Sequence, residues 1–78
     1  MPPMPDKTLD VKGLACPLPV LKARKALSEL RTGATLEVLS DDPQAPADFT
    51  AFAESTGNML IEHSESGGVH RFVLRRAA

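Results

Sequence analysis

The stretch TLDVKGLACPLPVLKARKALSEL, residues 8–30, contains the change of pattern that decides the fold. In residues 8–12 polar and apolar side chains alternate, with Leu9 and Val11 on one side, and this alternation predicts a half-buried strand. A glycine then breaks the strand, and from residue 17 to residue 31 the apolar residues follow the spacing of an amphipathic helix. The chain therefore opens with a strand, a glycine turn and a helix.

The first helix has signals at both of its ends. Cys16 is predicted to be the N-cap, with Pro17 at the first helical position, where the missing N–H of proline is no loss. Gly33 supplies the C-terminal stop. The residues predicted to face the core are Val20, Ala23, Ala26, Leu27 and Leu30.

A second strand and a second helix follow. Residues 35–40 predict a strand that buries Leu36 and Val38. The helix begins at Asp42, directly before a proline, or one turn later at Ala45, which also precedes a proline. Its buried face is marked by Phe49, Phe52 and Ala53.

Gly57 ends the second helix, and two strands complete the chain. Residues 59–64 form the third strand, with Met59 and Ile61 predicted to point inward, and SESGGV is a hairpin turn into a fourth strand at residues 69–76. The order β-α-β-α-β-β predicts an α/β fold of the two-layer α+β sandwich type, with both helices on one face of the sheet. The other face is expected to be mostly solvated and carries Thr8, Asp10, Lys12, Thr35, Glu37 and Arg71.

Length and composition indicate one globular domain, because 42% of the 78 residues are hydrophobic and 24% are charged. Residues 8–76 are predicted to form this domain behind a flexible, proline-rich leader at residues 1–7. The leader lacks the basic region and apolar core of a secretory signal, and no apolar run is long enough to span a membrane. We therefore expect a cytoplasmic protein with no membrane partner.

A formal net charge of −1 argues against a dedicated nucleic-acid binder, which normally carries a strongly basic field. We expect no direct nucleic-acid binding. Arg71, Arg75 and Arg76 are interpreted as a solvated strand surface rather than as a contact for RNA or for an acidic partner.

Cys16 is the only cysteine, which excludes an intrachain disulfide, a Cys-x-x-Cys redox pair and a zinc knuckle. At the start of a helix its sulfur would face the free N–H groups of Leu18 and Val20 and the positive end of the macrodipole. We therefore expect the pKa of the thiol to fall below its free value of about 8.5. Pro17 and Pro19 stiffen this turn and are the predicted scaffold of the site.

The alternative is a buried Cys16 that behaves as a small hydrophobe, as lone cysteines usually do. A cap position beside two prolines favours an exposed thiol instead. Leu18 and Leu21 are predicted to face outward next to Lys22 and Lys25, which would suit a partner with an apolar, acidic surface. These four are the candidate docking residues, although single exposed leucines are also normal on protein surfaces.

Asp41 and Asp42 follow the second strand. If strands one and two are parallel neighbours, these carboxylates share a sheet edge with Cys16 and would raise the pKa of its thiol. The simpler interpretation, that Asp42 caps the second helix, is favoured.

His63 and His70 flank the hairpin. They are cross-strand neighbours if the turn is Ser66-Gly67 and are not opposed if the turn is Gly67-Gly68. Metal binding is not expected, because zinc takes three or four protein ligands and Cys16 should lie far from the pair.

Cys-Pro-x-Pro at a helix start, after strand-Gly-Leu and before VLKARKAL, resembles the TusA/SirA-like family of small sulfur carriers. The resemblance extends from residue 8 to residue 75 and includes LDVKGLACPLP, LEVLSDDPQAPADFTAFAESTGN and the final Gly-Gly hairpin. It implies a mixed four-stranded sheet in the order 1-2-4-3.

The resemblance also implies a function. The family's cysteine, here Cys16, accepts sulfane sulfur as a persulfide from a cysteine desulfurase or a rhodanese-type donor and passes it to an acceptor protein. Destinations include tRNA thiolation, molybdenum cofactor supply and sulfur oxidation. The best-known tRNA-thiolating member carries Arg before the cysteine and Glu between the prolines, where this chain has Ala15 and Leu18, so the pathway stays open.

We accordingly expect a carrier rather than a stand-alone enzyme, with no cofactor beyond the transient persulfide. A second cysteine would attack the persulfide and expel sulfide, so the single cysteine independently favours forward transfer. Two alternatives stay open. One is an interaction or regulatory module in which Cys16 is inert or a redox sensor, and the other is RNA binding through the sheet, by analogy with the C-terminal domain of translation initiation factor three.

Overall fold

A computed structural model describes residues 4–77 of the chain, so the first three residues of the predicted leader lie outside the described part. The elements follow the predicted order and are β1 (Lys7–Asp10), α1 (Leu18–Ser28), β2 (Thr35–Ser40), α2 (Ala45–Thr56), β3 (Met59–Ser66) and β4 (Val69–Arg75).

The strands form one mixed sheet in the order β1-β2-β4-β3, as expected. β1 and β2 are parallel, whereas β4 runs antiparallel to both of its neighbours. α1 packs on β2, α2 packs on β3 and β4, and the helices contact each other. The predicted two-layer fold with both helices on one face is confirmed.

The core lies between the helices and the sheet and is centred on two phenylalanines. Phe49 of α2 stacks on Phe72 of β4 with ring centroids 4.6 Å apart, and both side chains are fully buried. Leu36 and Val38 of β2 and Ala23 of α1 surround this stack in the same cluster, with no exposed surface. Each helix therefore turns its apolar face to the sheet. The N-termini of both helices lie at the edge of the sheet.

The ends of β1 and α1 differ from the predicted ones. β1 begins at Lys7, and Asp6 ahead of it joins β2, because Asp6 donates its N–H to the Thr35 carbonyl at 3.0 Å. α1 ends at Ser28 rather than at the predicted Arg31, and the Arg76 guanidinium donates hydrogen bonds to carbonyl oxygens at this end, including that of Ser28 at 2.9 Å.

α2 takes the later of its two predicted starts, with Gln44 as N-cap and Ala45 as the first helical residue. It ends where predicted, at Gly57, whose φ of 76° lies in the left-handed region that favours glycine. Neither helix in residues 4–77 is long and apolar enough to cross a bilayer.

The orientation predicted for β3 is wrong. Met59 and Ile61 are 54% and 43% exposed, whereas Leu60 packs against the core. The cause is a bulge: Leu60 pairs with Leu74 and Glu62 pairs with Val73, so Ile61 is an extra residue without a partner. Side chains of a regular strand point alternately to the two faces of the sheet, and a bulge interrupts this alternation.

The sheet face away from the helices is largely polar, as predicted. The Arg71 guanidinium on β4 forms ion pairs with Glu37 on β2 and with Glu62 on β3, the latter at 2.7 Å. Thr8 on β1 donates its hydroxyl to the Glu37 carboxylate at 3.0 Å. These contacts join all four strands across the open face.

We predict that Leu60→Ala lowers the free energy of unfolding by about 1–2 kcal/mol, less than a fully buried leucine would. Ile61→Ala, next to it on the exposed side, should change the free energy by less than about 0.5 kcal/mol. Urea denaturation followed by circular dichroism measures both. An equal or larger loss for Ile61→Ala would contradict the bulge.

Candidate functional site

The loop that carries Cys16 is held by carboxylates from a neighbouring loop. Because β1 and β2 are parallel, the loops that follow them lie at the same sheet edge. Asp41 accepts a hydrogen bond from the N–H of Gly13 at 3.0 Å, and Asp42 Oδ2 accepts one from the N–H of Cys16 at 2.9 Å. The conditional prediction that these aspartates lie beside Cys16 is confirmed.

Asp42 also organises its own loop. Its Oδ1 accepts a hydrogen bond from the N–H of Gln44 at 3.0 Å, and its own N–H donates to the buried Ser40 hydroxyl at 3.2 Å. The favoured interpretation of Asp42 as the cap of α2 is therefore wrong in detail, because Gln44 is the N-cap. One carboxylate supports both the turn before α2 and the Cys16 backbone.

Cys16 is exposed, as predicted, but it is not the N-cap of α1. Pro17 takes that position, after a cis Cys16–Pro17 peptide bond, and the helix begins at Leu18. The N–H of Leu18 donates to the Ala15 carbonyl at 3.0 Å and closes a turn around Cys16 and Pro17. This N–H is therefore not free to stabilise the sulfur, contrary to the prediction.

An open groove of about 380 Å³ runs from Cys16 between the two helices. Positions 17, 20, 21 and 24 line its α1 side, at the spacing of one helix face. The α2 side is lined by Asp48, Ala51, Phe52, Ser55 and Thr56. The thiol thus lies beside a partly apolar groove that α2 completes.

The pKa of the Cys16 thiol is raised, not lowered. The main cause is the Asp48 carboxylate, followed by loss of hydration and by the negative charge of Asp42. The predicted effect of the helix N-terminus omitted these carboxylates. In the free protein the neutral thiol of Cys16 is therefore favoured more than in an ordinary cysteine.

The four candidate docking residues do not form one surface. Leu18 and Leu21 are 46% and 52% exposed, as predicted, and Leu21 lines the groove beside Cys16. Lys22 and Lys25 line a second, smaller depression that includes Leu9 on β1. The helix separates the lysines from the groove.

Asp48 is a groove residue that the sequence pattern did not identify. Asp48 lies in the first turn of α2, where an acidic residue also suits the helix dipole, so its presence alone indicates nothing about Cys16. The sequence holds one indication of its position: Asp48 and Phe52 are four residues apart, so they lie on the same face of α2. Using it required knowing that α1 lies beside that face.

His63 and His70 follow the second alternative, because the turn is Gly67-Gly68 and His63 pairs with Phe72. The two rings nevertheless approach diagonally, with His63 Nε2 and His70 Nδ1 3.3 Å apart. Within residues 4–77, no three His, Cys, Asp or Glu side chains are grouped closely enough to hold a metal ion.

Comparisons with known proteins agree with this architecture. The profile of the family described as Sulfurtransferase TusA matches residues 7–76, and so includes both helices, all four strands and Cys16. The chain belongs to the TusA family. The expectation drawn from the Cys-Pro-x-Pro motif and its surroundings is therefore confirmed.

Two relatives and one crystal structure match over most of their lengths. A putative sulfur carrier protein of Neisseria meningitidis serogroup A is 49% identical over 72 residues, which cover 92% of this chain and 97% of the relative. The sulfur carrier protein TusA of Allochromatium vinosum is 44% identical over 72 residues, covering 92% and 95%. The SirA-like protein of Desulfitobacterium hafniense superposes with a TM-score of 0.80 at 31% identity, covering 92% of this chain and 99% of that one.

Proposed function

We propose that this TusA-family protein is a sulfur carrier that accepts sulfane sulfur on Cys16 as a persulfide and relays it to an acceptor protein. The observation that carries the proposal is the exposed thiol of the sole cysteine, beside a groove between the two helices. The names of two relatives support the same role, since the Neisseria protein is named a putative sulfur carrier and the Allochromatium protein a sulfur carrier.

The proposed reaction needs only thiols and persulfides. The Cys16 thiolate attacks the outer sulfur of a donor persulfide, a new S–S bond forms, and the donor leaves as a thiolate that takes up the displaced proton. In the second step an acceptor thiolate attacks the outer sulfur on Cys16, and Cys16 leaves as the thiolate. No external oxidant or reductant is consumed.

The exposed site implies that partner proteins supply the rest of the catalytic environment. A cysteine desulfurase or a rhodanese-type protein is the proposed donor. We propose that the acceptor belongs to tRNA thiolation, molybdenum cofactor supply or sulfur oxidation, since each requires activated sulfur. Pro17 and Pro19 hold the loop and helix start in this proposal, and no cofactor other than the transient persulfide takes part.

Docking is proposed to centre on Leu21, with Leu18 beside it on the helix. Apolar side chains at the rim of a groove suit an apolar partner surface. Lys22 and Lys25 would contact an acidic part of the same partner from the other flank of α1.

Loading by a donor tests the proposal. Incubation with a cysteine desulfurase and L-cysteine should add the mass of one sulfur atom to the intact protein, because the donor persulfide is transferred to Cys16. Cys16→Ser should show no addition. A second arm uses a rhodanese-type donor and thiosulfate.

Failure of both donors to load the wild type would overturn the proposal and favour an interaction module with an inert cysteine. Sulfur addition to Cys16→Ser would also overturn it. Micromolar, salt-dependent RNA binding that survives Cys16→Ser would favour the RNA-binding alternative.

Leu21→Glu tests the docking surface, since it places a charge at the rim of the groove on an already exposed position. We predict that it slows desulfurase loading about tenfold at low carrier concentration, the loss expected for a contact worth about 1.4 kcal/mol. Ile61→Glu is the matched control, with similar exposure on the distant strand β3. Equal loading rates for the two variants would contradict docking at Leu21.

A further inference from the structure

One acidic residue of α2 shares the groove with the thiol. Asp48 is half-buried in the first turn of α2, and it lines the same groove as Cys16. The folded chain thus brings together two side chains that are separated by 32 positions in the sequence. The position of Asp48 is fixed because Phe49, its neighbour, is locked in the core stack.

Charged groups approach Cys16 from three sides. Asp42 in the loop after β2 binds the Cys16 backbone N–H through Oδ2, at 2.9 Å. Asp48 comes from α2, and Arg24 on α1 lines the same groove one helical turn beyond Val20. Of these groups, the two aspartates raise the pKa of the thiol, and Asp48 has the larger effect.

We propose that Asp48 keeps the Cys16 thiol of the free carrier protonated. The thiol is then slow to react with small electrophiles. This inference rests on the proposed function, in which Cys16 is the sulfur-bearing atom. A carboxylate beside a thiol disfavours the thiolate, because it places two negative charges side by side. The thiolate that does form is the stronger nucleophile, since nucleophilicity rises with basicity.

The consequence is selectivity in the sulfur relay. An exposed, acidic thiol would be open to alkylation and oxidation whenever no partner is bound. A protonated thiol is protected from these reactions, and its reactivity is reserved for the complex with a donor. Asp48 would therefore determine which reactions of Cys16 occur in the free protein.

The test is the pH dependence of Cys16 alkylation by iodoacetamide, a neutral reagent, measured by intact mass from about pH 6 to about pH 11 to bracket ordinary and raised thiol pKa values. In Asp48→Asn the midpoint should move to lower pH, and the rate at pH 7 should rise about three- to tenfold, because more thiolate is present. The rate at the high-pH plateau should fall slightly, because the thiolate is less basic.

A lower alkylation rate at the high-pH plateau distinguishes this role of Asp48 from a purely structural one. If the substitution only loosened the groove, the thiol would be more exposed and the plateau rate would rise. Glu54→Gln, which removes an exposed carboxylate elsewhere on α2, is the matched control and should leave the profile unchanged. Asp48→Ser is a second variant if Asp48→Asn does not fold, as judged by circular dichroism.

An unchanged midpoint in the Asp48 variants, or an equal shift in Glu54→Gln, would overturn the inference. Alkylation needs no sulfur donor, so this result is independent of the loading experiment. A carrier that loads normally but shows no shift would refute only the role of Asp48. A clear shift in a protein that never loads would refute only the sulfur relay.

Discussion

The parallel pairing of β1 with β2 is the constraint on which the site depends. It brings the loops after both strands to one edge of the sheet, where Asp41 and Asp42 accept hydrogen bonds from the backbone of the Cys16 loop. These two bonds fix a short, largely exposed segment in which Leu14 packs against the core. The same pairing directs α1 and α2 away from that edge side by side, and the groove lies between them.

The electrostatics of Cys16 follow from this arrangement. A helix start alone would favour the thiolate, yet the carboxylates that hold the loop and complete the groove favour the neutral thiol. Structural support and reactivity are therefore coupled: Asp42 cannot anchor the Cys16 backbone without placing a negative charge near its sulfur. The neutral thiol is the less nucleophilic form of a cysteine.

The sequence predicts those features that depend on local periodicity and on the positions of glycine and proline. Element order, both helical faces and the exposure of Cys16 follow from alternation, helical spacing, glycines and prolines. Features that depend on contacts between distant segments cannot be predicted from the local sequence pattern. The bulge at Ile61 depends on pairing with β4, and the position of Pro17 as N-cap depends on a turn that local rules do not specify. The place of Asp48 in the groove with Cys16 depends on the packing of α2 against α1.

A trapping measurement shows whether Cys16 carries sulfur in the living cell. Cells that contain the protein are treated with an alkylating reagent before lysis, and the tryptic peptide of residues 13–22 is analysed by mass spectrometry. The proposed role of Cys16 requires a fraction of peptides with one extra sulfur atom between Cys16 and the alkyl group. Peptides that contain only the directly alkylated thiol, in cells with an active cysteine desulfurase, would contradict it.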